Sequence, residues 1–84
     1  MIMAMKINIL AFGIAKEIVG SPLTTAELAD GLRVQQLKND LEEQYPKLKQ
    51  LTSFMIAVNG VYATPDAVIK PGDEVALIPP VSGG

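Results

Sequence analysis

The sequence contains no cysteine, no histidine and no tryptophan. Without cysteine there is no thiol nucleophile, no disulfide and no thiolate ligand for zinc or an iron–sulfur cluster. Without histidine the commonest general base and metal ligand is missing. Self-contained catalysis would have to rest on Asp, Glu, Lys, Ser or Tyr. Paired carboxylates exist at Asp73-Glu74 and Glu42-Glu43, but adjacent residues point in different directions on a strand or a helix and read as solvated charge. No phosphate-cradling glycine loop and no metal-ligand spacing is present. The chain is therefore expected to be catalytically silent by itself, with no bound metal. Clustered positive charge is lacking too. Seven basic and nine acidic residues give a net charge of −2, and Lys6, Lys16, Arg33, Lys38, Lys47, Lys49 and Lys70 are scattered. A nucleic-acid partner would demand a basic face, so none is expected. No apolar run approaches the ~20 residues of a membrane span, so no membrane partner is expected either.

What the chain does have is apolar content. Hydrophobic residues are 49% of its 84 positions and charged ones 19%. That composition excludes intrinsic disorder. Eighty-four residues are read as one domain over 1–84, with 79–84 as a projecting tail. A chain this short buries only about 60–65% of its unfolded surface, so apolar groups are left over for a partner. Lys6 followed by Ile7–Ala15 has the outline of a short secretory signal. Asn8 interrupts it, and Lys16-Glu17 occupies the place of a cleavage site, so a cytoplasmic protein is expected.

Periodicity supplies the elements. Met5–Phe12 alternates as a strand, with Met5, Ile7, Ile9 and Ala11 on one face and Lys6, Asn8, Leu10 and Phe12 on the other. Ile14–Val19 suggests one helical turn, and Leu23–Leu28 a weaker strand. Val34, Leu37, Leu41 and Tyr45 step by three, four and four and predict a helix over Val34–Gln44, stopped by Pro46. Its start is poorly marked, because Arg33 stands where Ser, Thr or Asp would cap best. Asn59-Gly60 between Phe54–Val58 and Val61–Ala63 predicts a hairpin, since a type I′ turn needs positive φ twice. Lys70-Pro71-Gly72-Asp73 fits a tight turn before a last strand, Glu74–Ile78, which Pro79 and Pro80 end.

The order β-β-α-β-β-β predicts an α+β fold: a mixed sheet of about five strands with one main helix packed on one face, the β-grasp or ubiquitin-like architecture. The opposite face is left open, and alternation assigns Phe12, Tyr62 and Ile78 to it as candidate partner-binding residues.

The chain ends Pro79-Pro80-Val81-Ser82-Gly83-Gly84. At about 7% glycine, two terminal glycines arise by chance about 0.5% of the time. A frayed tail or a cloning scar would explain them blandly, but neither explains two prolines at a strand end. Pro-Pro favours an extended path away from the globule. Val81–Gly84 then reaches at most about 13–14 Å. Two residues without side chains make a thin arm that could thread a narrow channel. Its only reactive group is the carboxylate of Gly84, ionised at neutral pH and a poor acyl electrophile. Chemistry there requires activation by another enzyme, most simply with ATP.

Three segments, Phe12-Gly13-Ile14-Ala15-Lys16-Glu17, Ala57-Val58-Asn59-Gly60 and Gly72–Gly84 with its Gly-Asp-Glu-Val and Pro-Pro-Val-Ser-Gly-Gly, resemble the small subunits of molybdopterin synthases, the MoaD-type sulfur carriers. The resemblance runs from Met5 to the end, with Met1–Ala4 as an extension. It implies that an E1-like adenylyltransferase activates Gly84 with ATP, and that a persulfide donor then supplies sulfur to give a thiocarboxylate. The tail, Pro79 to Gly84, would then enter the large synthase subunit, in an assembly of two large and two small subunits, and donate sulfur to cyclic pyranopterin monophosphate to form the molybdopterin dithiolene. It further implies that the open face, with Phe12, Tyr62 and Ile78, docks on both partners, and that the carrier itself binds no cofactor.

Other readings share parts of this pattern. The thiamin-pathway sulfur carrier has the same fold and the Gly-Gly end, though Pro79-Pro80-Val81 resembles the molybdopterin branch. A ubiquitin-like modifier would use the same chemistry up to the adenylate and then attach to lysines. A non-carrier β-grasp interaction module would carry an inert tail.

Overall fold

The computed structural model describes residues 4–51 and 54–79. Strand β1 (Ala4–Ala11) alternates as its sequence requires: Met5, Ile7, Ile9 and Ala11 are buried, while Lys6 and Asn8 are exposed. It begins at Ala4, which pairs with Ala29. Phe12 has extended geometry but caps the helix that follows instead of closing the strand.

That helix, α1 (Gly13–Val19), is longer than the single turn expected. It buries Ala15 and ends at Gly20 in the left-handed conformation. Strand β2 (Leu23–Ala29) pairs antiparallel with β1 along its whole length. Helix α2 (Val34–Gln44) has the bounds its periodicity predicts and buries Val34, Leu37 and Leu41. Strands β3 (Met55–Val58), β4 (Val61–Tyr62) and β5 (Glu74–Ile78) complete a five-stranded sheet of order β2-β1-β5-β3-β4. β1 and β5 are parallel, and the other pairs are antiparallel. This is the mixed α+β sheet expected, with α2 on one face.

The helix start that lacks a Ser, Thr or Asp cap is satisfied from elsewhere. The orphan N–H groups of Val34 and Gln35 donate to the backbone carbonyls of Ala67 (2.9 Å) and Pro65 (3.0 Å). Gln36 Oε1 accepts from the Arg33 N–H at 3.0 Å, and the Arg33 guanidinium donates to the Asp66 carbonyl at 3.2 Å. The unmet donors of a first turn need acceptors, but not local ones. A distant loop supplies them here, so sequence next to the helix carries no signal of it.

Pro46 also does more than stop α2. It starts a 3₁₀ helix, Pro46–Gln50, that turns Leu48 fully into the core. Leu48 packs with Ile7, Leu37, Ile69, Val75 and Leu77 in one cluster. Leu48→Ala is expected to cost about 3 kcal/mol, as buried leucine truncations do. That is a large share of the roughly 5–10 kcal/mol available to a domain this size. Urea unfolding checks this, and an unchanged midpoint would contradict the placement.

Candidate docking face and tail root

The uncovered sheet face is built by register. Leu23 of β2, Leu10 of β1, Ala76 of β5, Ala57 of β3 and Tyr62 of β4 are successive cross-strand partners, a single apolar row across all five strands. Met55 and Ile78 pair in the next row. On the other side the rows turn polar: Lys6 opposes Glu27, and Asn8 lies between Thr25 and Glu74. The face is thus apolar towards the end where β5 leaves the sheet, and polar towards the other.

The two alanines at the centre form a floor between larger groups. Leu10, Phe12, Ala57, Gly60, Tyr62, Glu74, Ala76 and Ile78 line a depression of about 300 Å³. Phe12 is 49% exposed and Tyr62 is 61% exposed, and Leu23 and Met55 are also half in solvent. Ile78 is half-buried. So many large apolar groups gathered on one face exceed ordinary surface scatter. The structure therefore brings Phe12, Tyr62 and Ile78 around one depression. Leu10, Leu23 and Met55, which the sequence reading did not assign to it, extend the same surface. Leu10 was reachable, since it alternates with Phe12; Leu23 and Met55 depend on which strands become neighbours.

Pro79 stands at the root of the tail. A Cβ placed on Gly13 would lie 3.3 Å from Pro79 Cγ. Gly13 also has φ +54°, a left-handed value that glycine adopts freely. The close approach seats the exit of β5 beside Phe12, so the chain leaves the sheet from the apolar end of the face. Pro80, Val81, Ser82, Gly83 and Gly84 lie outside the described residues.

A polar knot sits at the rim. Asn59 and Gly60 have φ of 52° and 82°, the hairpin turn expected. The Asn59 side chain donates through Nδ2 to Asp73 Oδ1 (2.9 Å) and accepts at Oδ1 from the Glu74 N–H (2.9 Å). Its backbone N–H donates to the Glu74 carbonyl at 2.8 Å. Asp73 Oδ2 in turn accepts from the Lys70 N–H at 2.8 Å. These donors, first the Lys70 N–H and then the Asn59 amide, hold the Asp73 carboxyl below its ordinary value of 3.8, aided by the Lys70 charge and opposed by slight burial. A folded-state value below the unfolded one stabilises the fold above the unfolded value, and that contribution fades as pH falls through the folded value. Asp73→Asn is expected to flatten this acid limb modestly, because the site is solvent-exposed and screened. Urea midpoints compared from neutral to about pH 3 test it, and identical acid limbs would contradict it.

Elsewhere, a second depression of about 190 Å³ lies between α2 and β3, where Lys38 Nζ sits 5.1 Å from the centre of the Phe54 ring. Among the described residues there is no group of acidic side chains able to hold a metal ion, and no side chain with a buried, unpartnered polar atom. No helix among them is long and apolar enough to cross a membrane.

The ThiS family model matches residues 9–84, which takes in β5, Pro79 and the whole Gly-Gly ending. The chain belongs to the ThiS family. This ThiS-family chain is 34% identical over 82 residues to the molybdopterin synthase sulfur carrier subunit of Arabidopsis thaliana, covering 96% of this chain and 85% of the plant protein. It is 37% identical over 81 residues to the subunit of that name from Mycobacterium tuberculosis, covering 94% and 98%. Among solved structures, molybdopterin converting factor subunit 1 of Pyrococcus furiosus superposes with a TM-score of 0.83 at 29% identity, covering 92% of this chain and 99% of that one. SAMP1 of Haloferax volcanii gives 0.79 at 25%, covering 94% and 99%. A chain in the complex of subunits 1 and 2 of the molybdopterin-converting factor of Helicobacter pylori gives 0.64 at 25%, covering 95% and 100%. The expected membership and the β-grasp fold are thereby established for this ThiS-family chain, and its curated relatives are sulfur carriers of molybdopterin synthase.

Proposed function

We propose that this chain is the sulfur-carrier subunit of a molybdopterin synthase and works through the carboxylate of Gly84. The observation that carries the reading is the in-register apolar row ending where β5 departs towards Gly84. A partner seated on Phe12, Tyr62 and Ile78 is placed beside the tail root. In this reading the Gly84 carboxylate attacks the α-phosphorus of ATP on an E1-like adenylyltransferase, releasing pyrophosphate. A persulfide sulfur displaces AMP from the acyl-adenylate, and a second thiol of the sulfur donor then attacks the donor-side sulfur of the resulting S–S bond, leaving a thiocarboxylate on Gly84 and a disulfide on the donor. Adenylation is needed because a carboxylate is a poor acyl electrophile at neutral pH. The loaded tail enters the large subunit, where its sulfur bonds to cyclic pyranopterin monophosphate and water hydrolyses the acyl–sulfur bond, returning the Gly84 carboxylate; two such transfers supply the two sulfurs of the dithiolene.

The carrier is a cosubstrate, not an enzyme by itself, and holds no cofactor of its own; ATP serves the activating enzyme. The reading places it in the cytoplasm, in an assembly of two large and two small subunits. The pairing of subunits 1 and 2 in the Helicobacter pylori complex supports the large-subunit partner. Reconstitution tests the proposal. Thiocarboxylated carrier mixed with the large subunit should convert cyclic pyranopterin monophosphate to molybdopterin, and the unmodified carrier should not. Equal conversion by both would contradict it.

A second reading, attachment of Gly84 to lysines of other proteins, is favoured by the likeness to SAMP1 of Haloferax volcanii and to the small archaeal modifier protein 1 of Methanosarcina acetivorans, each 25% identical. Immunoblots of host lysate would show a ladder of lysine conjugates if the chain also serves as a modifier.

A further inference from the structure

Two of the segments that carry the family resemblance, Asn59-Gly60 and Gly72-Asp73-Glu74, are well separated in sequence and contribute almost no apolar surface. The structure ties them to each other. Asn59 precedes β4, and Asp73 precedes β5. β4 is only two residues long and lies at the sheet edge, paired with β3 alone. Its register is carried by the Ala57–Tyr62 and Val58–Val61 pairs, with one further bond from the Ala63 N–H to the Ile56 carbonyl. So short a strand has little backbone pairing with which to hold a large exposed tyrosine. The Asn59 side chain, next after β3, adds two bonds to the start of β5 beside the bond from its own N–H to the Glu74 carbonyl, and Asp73 anchors them to the Lys70 turn.

We infer that Asn59 and Asp73 are positioning residues for docking: their side-chain pair fixes the hairpin that carries Tyr62 against the strand that carries Ile78, and so sets the shape of the depression between them. Gly60 and Glu74, the immediate neighbours of the pair, both line that depression. The inference rests on the docking role proposed for this face.

The bonding pattern makes a reciprocal test available. The Asp73 carboxylate receives two donors, the Lys70 N–H and the Asn59 amide. Asp73→Asn leaves one acceptor for those two donors and sets amide against amide. Asn59→Asp sets carboxylate against carboxylate. The double variant Asn59→Asp/Asp73→Asn restores all three bonds in reverse. The carboxylate at position 59 accepts from the Glu74 N–H and from the amide at position 73, whose oxygen accepts from the Lys70 N–H. Net charge is unchanged in the swap.

Calorimetric titration against the large synthase subunit is run well below each variant's unfolding temperature, with circular dichroism confirming the fold. Each single variant is expected to bind roughly tenfold or more weakly, about 1.4 kcal/mol, and the double variant to return to within about threefold of wild type. A role limited to global stability would leave all folded variants with the wild-type affinity, and that result overturns the inference. So does a double variant as weak as the singles. Should a single variant not fold, the double variant decides: wild-type affinity supports the pair, and loss overturns it. Amide exchange at Ala63, whose N–H donates to the Ile56 carbonyl, gives a readout free of the partner. It should quicken in the singles and recover in the double, and uniform protection overturns the inference. Absence of binding by wild type, with exchange behaving as expected, refutes the docking role itself and leaves the hairpin clamp standing.

Discussion

Deletion of Gly84 is expected to abolish molybdopterin formation while leaving the fold intact. The described core lies between Met5 and Leu77, and the last residue that packs on the body among those described is Pro79. Gly84 has no side chain to bury, so the unfolding midpoint should match wild type. The deletion does shorten the arm by about 3.3–3.6 Å. The new terminal carboxylate stops short of the activating site and of the substrate alike. Misplacement of a reacting group by about 1 Å already costs around a hundredfold, so a full residue should leave no detectable product. The measurement is product formation by the reconstituted synthase supplied with the activating enzyme, ATP and a sulfur donor. Full activity of the shortened chain would refute the carrier role. A bulky residue at Gly83 is expected to act in the same direction by widening the arm.

Phe12→Asp should separate docking from chemistry. Phe12 is about half exposed in the free chain, and its structural hydrogen bond, from its N–H to the Leu77 carbonyl, belongs to the backbone. The substitution should therefore be mild for stability. In a complex the ring would be buried, and its transfer out of water is worth about 1.5–3 kcal/mol. An unpaired carboxylate in its place adds a desolvation cost. A loss of about 3 kcal/mol or more corresponds to over a hundredfold in Kd. Titration against the large subunit measures it, and unchanged affinity would refute the assignment of this face as the docking surface.

What could be read from the chain and what could not divides along a physical line. Local signals carried well. The three-four-four apolar stepping fixed α2, the alternation from Met5 to Ala11 fixed the buried face of β1, and Asn59-Gly60 produced the positive φ pair it demands. The turn at Lys70–Asp73 closed through the Asp73 N–H to the Lys70 carbonyl. Features requiring two distant segments did not show. Acceptors for the first turn of α2 come from Pro65 and Ala67, 30 and 33 positions beyond Gln35 and Val34, the residues they serve. The apolar row from Leu23 to Tyr62 exists only once β1 and β5 lie side by side in parallel. The Asn59–Asp73 pair was invisible for the same reason, although each residue stood in a recognised turn. One difference is local: Pro46 ends α2 as its sequence predicts, but proline at a first helical position is equally a start, and a 3₁₀ helix begins there. Leu48 and Leu51 beyond it carried the signal of the 3₁₀ turn.

The central claim is that the backbone's own terminal carboxylate carries the sulfur. Intact-mass spectrometry of the chain purified from its native host, while that host makes molybdopterin, tests it most directly. The account predicts a species heavier by the exchange of one oxygen for one sulfur, with the added mass confined to the peptide that ends in Gly84. A chain found only with an ordinary carboxylate, or with its added sulfur elsewhere, would contradict it.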